Sequence, residues 1–285
     1  TGVAQLSTNW LVRTLVKVYI EVFRNTPLLV QLFFWYFAVI LKMPSLEDSI
    51  VLPGPVYISQ RGVFIPWPEP TRGFGPWLAF VAIGLGLAVA AFVWRYRRKM
   101  STGQNSYAAL VAAVPLLSLP LLGWFAVPER PFLVSTPMFE GFNVAGGTTL
   151  TPEFAALLFG LVVYTAAFIA DIVRAGIQAV PKGQVEAARS LGLSNFDVMR
   201  MVVLPQALRV IIPPLGNQYL NLAKNSSLAI GVGYPDLYAI SNTIFNQSGQ
   251  AVQVIALVMG TYLVMSLLIS AFMNFINARL KIVER

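Results

Sequence analysis

The residues of this chain whose types and spacing point to specific work are concentrated in one polar stretch. It reads Pro181-Lys182-Gly183-Gln184-Val185-Glu186-Ala187-Ala188-Arg189-Ser190-Leu191-Gly192-Leu193 and continues to Leu204-Pro205. The chain has no histidine, which removes the usual general base and the commonest metal ligand, and no cysteine, which removes disulfides and thiolate metal sites. Metal-centred and Ser-His-Asp chemistry are therefore not expected. What the stretch can do is present a surface. Pro181 suits a first helical turn, Val185 to Ser190 holds good helix formers, and Gly192 offers a left-handed stop. Ser194 is placed to N-cap a second short helix carrying Phe196, Val198 and Met199. An elbow of two small helices follows, in which Ala187 and Ala188 let a partner approach closely and Glu186 offers a charge or a cap.

A second set comprises Asn217, Gln218, Asn221, Lys224, Ser226 and Ser227, on and after an apolar run. Polar groups at such positions are costly and are often functional. Two uses are open: contact with the carboxylate or amine of a small solute, or interhelical hydrogen bonding with a lysine at the outer interface. Asp171 and Arg174, three residues apart, read as a local helix-end pair.

The elements that must position these residues are membrane spans. With 56% hydrophobic and 11% charged residues, the 285-residue chain has too little polar side chain to solvate a globular surface. A span needs roughly 20 apolar residues to cross about 30 Å of hydrocarbon. Trp77 to Trp94, Tyr107 to Val127, Pro152 to Val173 and Gln253 to Ile276 meet that requirement. Leu28 to Leu41 is short, unless its helix begins in the amphipathic stretch from Trp10 to Thr26. Val202 to Ala223 carries Arg209 and the Pro213-Pro214 pair, which predicts a broken or kinked span. The expected fold is an all-α polytopic bundle of about six spans, with no internal repeat and a single membrane domain over 1–285.

Threading six spans places Arg13, Lys17, Arg24, the Arg95-Arg97-Arg98-Lys99 cluster, Arg174, Lys182, Arg189, Arg200, Arg209, Arg279, Lys281 and Arg285 on one side. These are 15 of the 20 basic residues. The other side keeps Lys42, Arg61, Arg72, Arg130 and Lys224 with seven of the twelve acids. Because cytoplasmic segments hold the Lys and Arg, both ends of this chain are expected in the cytoplasm. The charge of +8 thus reads as a topology signal, and nucleic-acid binding is not expected. Two outer loops, Lys42 to Pro76 and Pro128 to Thr151, are rich in Pro, Gly and aromatics, which favours compact ordered turns. A docking rim and a plain connection both remain open for them. The small residues Ala79, Ala82, Gly84, Gly86, Ala88 and Ala90 favour close helix packing within the subunit, and Pro115 and Pro120 are expected to bend the next span.

The polar stretch resembles the coupling loop of ABC importer permeases, whose signature is Glu-Ala-Ala, three residues, Gly, nine residues, Ile, one residue, Leu-Pro. Glu186, Ala187, Ala188, Gly192, Leu204 and Pro205 match in type and spacing, and Val202 stands where the pattern has Ile. Glu21 to Phe34, Asn217-Gln218, Lys224 to Leu228 and Gly233 to Leu237 are similar to polar amino-acid permeases, most of all to general L-amino-acid permease subunits. The resemblance implies a type I ABC importer fold with a coupling loop over 174–205. It implies a bacterial inner-membrane subunit whose partners are a cytoplasmic ATPase dimer, a homologous or identical second permease and an extracytoplasmic amino-acid-binding protein. In that family the stretch similar to Gly2 to Ser7 follows earlier membrane helices, so one or more helices are expected before Thr1. No Gly-x4-Gly-Lys-[Ser/Thr] loop occurs, so ATP and Mg are expected on the partner and no cofactor on this chain. An ion-coupled carrier is the main competing class, but such carriers often show repeats and buried acids that are not evident here. A membrane enzyme or a purely structural subunit finds less support.

Overall fold

A computed structural model describes residues 1–102, 107–141 and 143–280. Lys281, Arg285 and the side chain of Arg279, which entered the charge argument, lie outside the described residues. The chain divides into two compact units, one of Thr1–Asp48, Ser59–Gly62 and Leu150–Arg285, the other of Ser49–Ile58 and Val63–Thr149. Among the described residues, five helices are long and apolar enough to cross a membrane, and the bent pair Trp10–Asn25 plus Leu28–Lys42 supplies a sixth if it is one span.

In the first unit, α1 (Trp10–Asn25) is capped by Asn9, whose side chain accepts from the amides of Leu11 and Val12. Its Val16, Tyr19, Ile20 and Phe23, at helical spacing, pack on Ala167 and Ala170 of α5 (Pro152–Gln178). The helix does not run on into the next apolar run as the amphipathic stretch suggested. A turn of 108° separates the two. The cause is Pro27, which lacks an amide proton and drives Thr26 into extended backbone at φ −108°, ψ 140°. Gln31 closes the elbow: its buried amide donates to the carbonyls of Phe23 (2.9 Å) and Thr26 (3.1 Å). Beyond it α2 (Leu28–Phe33) continues as a π-helical segment, Phe34–Val39, and a 3₁₀ turn, Ile40–Lys42.

α5 is the hub of this unit. Leu32 of α2 seats on Gly160, where a Cβ would lie 2.6 Å from Leu32 Cδ2. Nearer its other end, Gly176 admits Ile211 of α8 (Leu204–Asn225), and a Cβ there would lie 2.3 Å from Ile211 Cγ1. Small residues at both crossings let the backbones approach, which is how apolar helices associate in lipid. Of the break or kink expected at Pro213-Pro214, the break is not found: α8 runs through both prolines. It is packed on both sides of them, with Ala207 and Ile211 buried against the α5 side and Gly216 against Met273 of α10 (Ala251–Leu280). The departures from α geometry sit at its ends instead, as a π-helical segment, Val198–Val203, and a 3₁₀ segment, Ser226–Val232. Between this segment and α10, α9 (Leu237–Ser248) is capped by Asp236, which accepts from the Ala239 amide at 2.8 Å.

The second unit holds an antiparallel hairpin of α3 (Phe74–Thr102) and α4 (Ala108–Ala126). The two approach at Gly84, where a Cβ would lie 2.9 Å from the Pro115 carbonyl oxygen; of the small-residue stripe, Gly84 and Ala88 are buried inside the subunit, whereas Ala79, Ala82, Gly86 and Ala90 are exposed. The Trp77 indole donates to the Pro120 carbonyl at 2.9 Å, a hydrogen bond from one helix of the hairpin to the other. The outer loops are more regular than ordered turns. They form short strands: β1 (Ile50–Leu52), β2 (Val56–Ser59), β3 (Gly62–Ile65) and β8 (Thr148–Leu150) in one sheet of that order, with β4 (Trp67–Pro70) beside β5 (Phe132–Ser135) and β6 (Met138–Glu140) beside β7 (Asn143–Ala145). Phe74, Trp77, Trp124 and Phe132 cluster where β5 meets the hairpin.

Gly176→Val is expected to cost about 1–3 kcal/mol through overpacking against Ile211. The thermal unfolding of the detergent-solubilised chain should drop by several degrees, whereas Gly183→Ala, at a position where a Cβ meets nothing within 4 Å, should leave it unchanged or raised.

Candidate functional site

The polar stretch folds as the short helix α6 (Lys182–Ser190), followed by α7 (Asn195–Asp197) and the π segment that feeds α8. Pro181 stands one position before the first turn, as the N-cap. Gly192 adopts φ +80°, and the turn is closed by two bonds, Leu193 N–H to the Ala188 carbonyl (3.3 Å) and Gly192 N–H to the Arg189 carbonyl (2.9 Å). This crossed pair is a Schellman stop, which needs the left-handed residue that glycine supplies. Ser194 caps the next turn as its position suggested, accepting from the Asp197 amide at 3.2 Å. The elbow differs from expectation in one respect: its second helix is not separate but runs through the π segment into α8, so the outer arm of the elbow is the end of the span itself.

This makes the elbow stiff. Ala188 is buried together with Val180, Val198, Val203, Ala207 and Ile211, and Ile172, Ile177, Val185 and Leu193 pack around them. The Arg189 guanidinium also donates to the Asn195 side chain at 3.3 Å, tying α6 to α7. Of the expected contact residues, Glu186, Ala187, Gly192, Leu204 and Pro205 are exposed, while Ala188 belongs to the base. Two apolar residues that no spacing argument singled out as contacts stand at the tip. Leu191 is 82% and Phe196 70% exposed. An exposed apolar knob on a polar loop is the signal that marks them.

The second set is divided by the fold. Asn217, Asn221 and Lys224 share one exposed face of α8, at helical spacing. Gln218 is half-buried on another face. Ser226 and Ser227 donate their hydroxyl protons to the carbonyls of Ala223 and Lys224, both at 2.8 Å, and so wind the start of the 3₁₀ segment. Asn217 also lines a cleft of about 180 Å³ with Ser270, Asn274 and Asn277 of α10. Those three were invisible to a reading of α8 alone, because only the crossing with α10 brings them there.

Asp171 and Arg174 pair as expected, with Arg174 donating to Asp171 at 3.1 and 3.3 Å. Asp171 takes a second cation as well, Arg24 of α1, whose guanidinium also lies 5.4 Å from the Phe168 ring. The pair is therefore a three-residue bridge between α1 and α5. Arg13, Lys17, Glu21 and Gln5 complete a charged cavity of about 350 Å³ around it.

Apolar helices long enough to cross a membrane, two of them packed against the base of an exposed polar elbow, define a polytopic α-helical membrane protein. Comparison with known proteins gives the family: over residues 2–282 the chain matches, and belongs to, the binding-protein-dependent transport system inner membrane components. It is 49% identical over its whole length, and over 72% of the relative's, to the putative amino-acid ABC transporter permease protein YhdX of Escherichia coli (strain K12). It is 46% identical, again over its whole length and over 71% of the relative's, to the general L-amino acid transport system permease protein AapQ of Rhizobium johnstonii. The fold is shared with a crystal structure described as an amino acid ABC transporter with histidines, at a TM-score of 0.55 and 23% identity, covering 98% of this chain and 81% of that one. The chain is thus a multi-pass permease subunit of an ABC importer in the inner membrane, and ATP hydrolysis belongs to a separate ATPase subunit.

Ser194→Ala removes the cap and is expected to cost about 1 kcal/mol locally. Amide exchange over 195–203 should quicken several-fold, with little change in the spans.

Proposed function

We propose that this permease carries L-amino acids into the cell, and that its elbow over 174–205 is the surface on which a cytoplasmic ATPase dimer acts. The observation that carries the reading is the contrast within the elbow. Its tip offers Glu186, Ala187, Leu191, Gly192 and Phe196 to a partner, while its base is buried against α5 and α8. A push on the tip therefore reaches two spans with little lost to bending, which is what an alternating-access transporter requires. ATP and Mg would be held by the partner, and nothing in this chain's donor set calls for a cofactor of its own.

The relatives named for amino-acid transport support the substrate class. The basic residues of the elbow and of α1 support a topology with both ends of this chain in the cytoplasm. In the reading proposed, 1–285 acts as one transmembrane domain. A second permease subunit, identical or homologous, completes the path, and an extracytoplasmic amino-acid-binding protein delivers the solute. Asn217, Asn221 and Lys224 would line the path from one face of α8, with Gln218, Ser226 and Ser227 shaping it.

Three measurements test this. Gly192→Val places a β-branched residue at φ +80° and should cost at least about 1–2 kcal/mol at the turn. In proteoliposomes with the ATPase and binding protein, uptake should fall at least about ten-fold while the assembled complex and its basal ATP hydrolysis persist, and full uptake would remove the coupling role. Asn217→Ala and Asn221→Ala should weaken amino-acid uptake or change its selectivity; unchanged affinity for every amino acid tested would leave these residues to helix packing. Uptake driven by an ion gradient without ATP would refute the importer mechanism altogether.

A further inference from the structure

The α3–α4 hairpin carries a cationic end and no acidic residue of its own. From Thr71 to Pro128 the sequence contains no Asp or Glu, yet Arg95, Arg97, Arg98 and Lys99 fall within five residues. The acids of that unit, Glu69, Glu129 and Glu140, belong to the strands and connections beyond the opposite end of the hairpin.

The position of the cluster along α3 matters as much as its charge. From Trp77 to Trp94 the helix rises ~26 Å at 1.5 Å per residue, close to the thickness of a hydrocarbon core. Trp77 sits in the aromatic cluster at one end, and Trp94 and Tyr96, 57% and 50% exposed, mark the other. Tryptophan and tyrosine at both ends of an apolar run place those ends at the headgroup level. Arg95, Arg98 and Lys99 are thus held where lipid phosphates are, not out in water.

The local geometry is that of a cradle. Trp94, Arg95, Arg98 and Lys99 fall on one side of the helix at 100° per residue. The guanidiniums of Arg95, the next residue, and Arg98, one turn on, lie 5.4 and 5.5 Å from the Trp94 ring. The Arg95 Nε–H is buried and has no hydrogen-bond partner among the described residues. Planar guanidiniums fixed over an aromatic face present forked donors, the geometry suited to phosphate oxygens.

We propose that Trp94, Arg95, Arg98 and Lys99 form a binding site for the phosphate headgroup of an anionic phospholipid of the surrounding bilayer. The indole lies along the acyl and glycerol region, the two guanidiniums and the ammonium meet the phosphate, and the lipid supplies the negative charge that the hairpin lacks. The inference rests on the second unit alone and does not depend on which solute the permease carries.

The test uses the purified full chain in lipid nanodiscs containing an equal minor fraction of brominated phosphatidylglycerol or brominated phosphatidylcholine. Bromine quenches nearby tryptophan, and the Trp94 contribution is the difference between the wild type and Trp94→Phe. Phosphatidylglycerol is expected to quench that contribution at least about two-fold more than phosphatidylcholine. The preference should vanish in Arg95→Gln/Arg98→Gln/Lys99→Gln and persist in Arg72→Gln/Arg130→Gln, which removes charge at the other end of the hairpin. Equal quenching by the two lipids in the wild type overturns the proposal without reliance on any charge variant, and so does a preference that survives the triple substitution. If inorganic phosphate erases the preference where chloride of equal ionic strength does not, the ligand is a free anion and the lipid assignment fails.

Discussion

α5 and α8 meet at Gly176 so closely that a single methyl group there would collide with Ile211, and the packing of the elbow depends on that contact. The cluster built around it, with Val180, Ala188, Val198, Val203 and Ala207, is continuous from the crossing to the base of the elbow. The same packing therefore fixes two spans to each other and the elbow to both. In lipid no hydrophobic force drives helices together, so tight van der Waals fit at small residues must do so. A loop attached only through its ends would bend under a partner's push. A loop whose inner face is part of the interhelical core can only move with the helices.

The other constraint is the cost of unpaired backbone in an apolar medium. Several irregularities among the described residues are met locally. At the Thr26-Pro27 elbow, the carbonyls that a continuing helix would have used are taken by the Gln31 amide. At Gly192 and again at Gly233, left-handed glycines close crossed pairs of hydrogen bonds that end their helices. Where α8 begins and ends, the chain does not stop but changes pitch, to π geometry before Leu204 and to 3₁₀ geometry after Asn225. Such segments keep most hydrogen bonds while turning the side-chain register, and they are frequent at functional sites.

Much of this was legible in the sequence because it depends on local rules. The spans follow from apolar length, the elbow from Pro181, Gly192 and Ser194, and the Asp171–Arg174 pair from its spacing. What local rules could not supply was anything decided by a crossing. Pro213 and Pro214 would break an isolated helix, yet α8 continues through them between α5 and α10. Arg24 joins Asp171 from 147 residues away, and Asn274 and Asn277 reach Asn217 only through the α8–α10 contact. One strand pair of the outer loops was hidden for a related reason: β4 pairs with β5 across the whole α3–α4 hairpin, so no short-range pattern announces it, whereas β1–β2 and β6–β7 are local hairpins. Leu191 and Phe196 look like core residues in sequence, and only their exposure shows them to be contacts.

The faces left open by the fold are not alike, and the difference bears on what surrounds them. The exposed residues of α10 include Leu257, Leu263, Leu267, Leu268 and Phe272, a surface that lipid can cover at no cost. α8 instead exposes Asn217, Asn221 and Lys224 along one line. Asparagine amides facing lipid within a span find no partners among acyl chains, and Lys224, in the last turn of α8, must reach an interface or water with its ammonium. A stripe of this kind is tolerable against water or against another protein, not against acyl chains. The subunit taken alone is therefore an unfinished surface along α8, one that water or a second protein surface would satisfy and acyl chains would not.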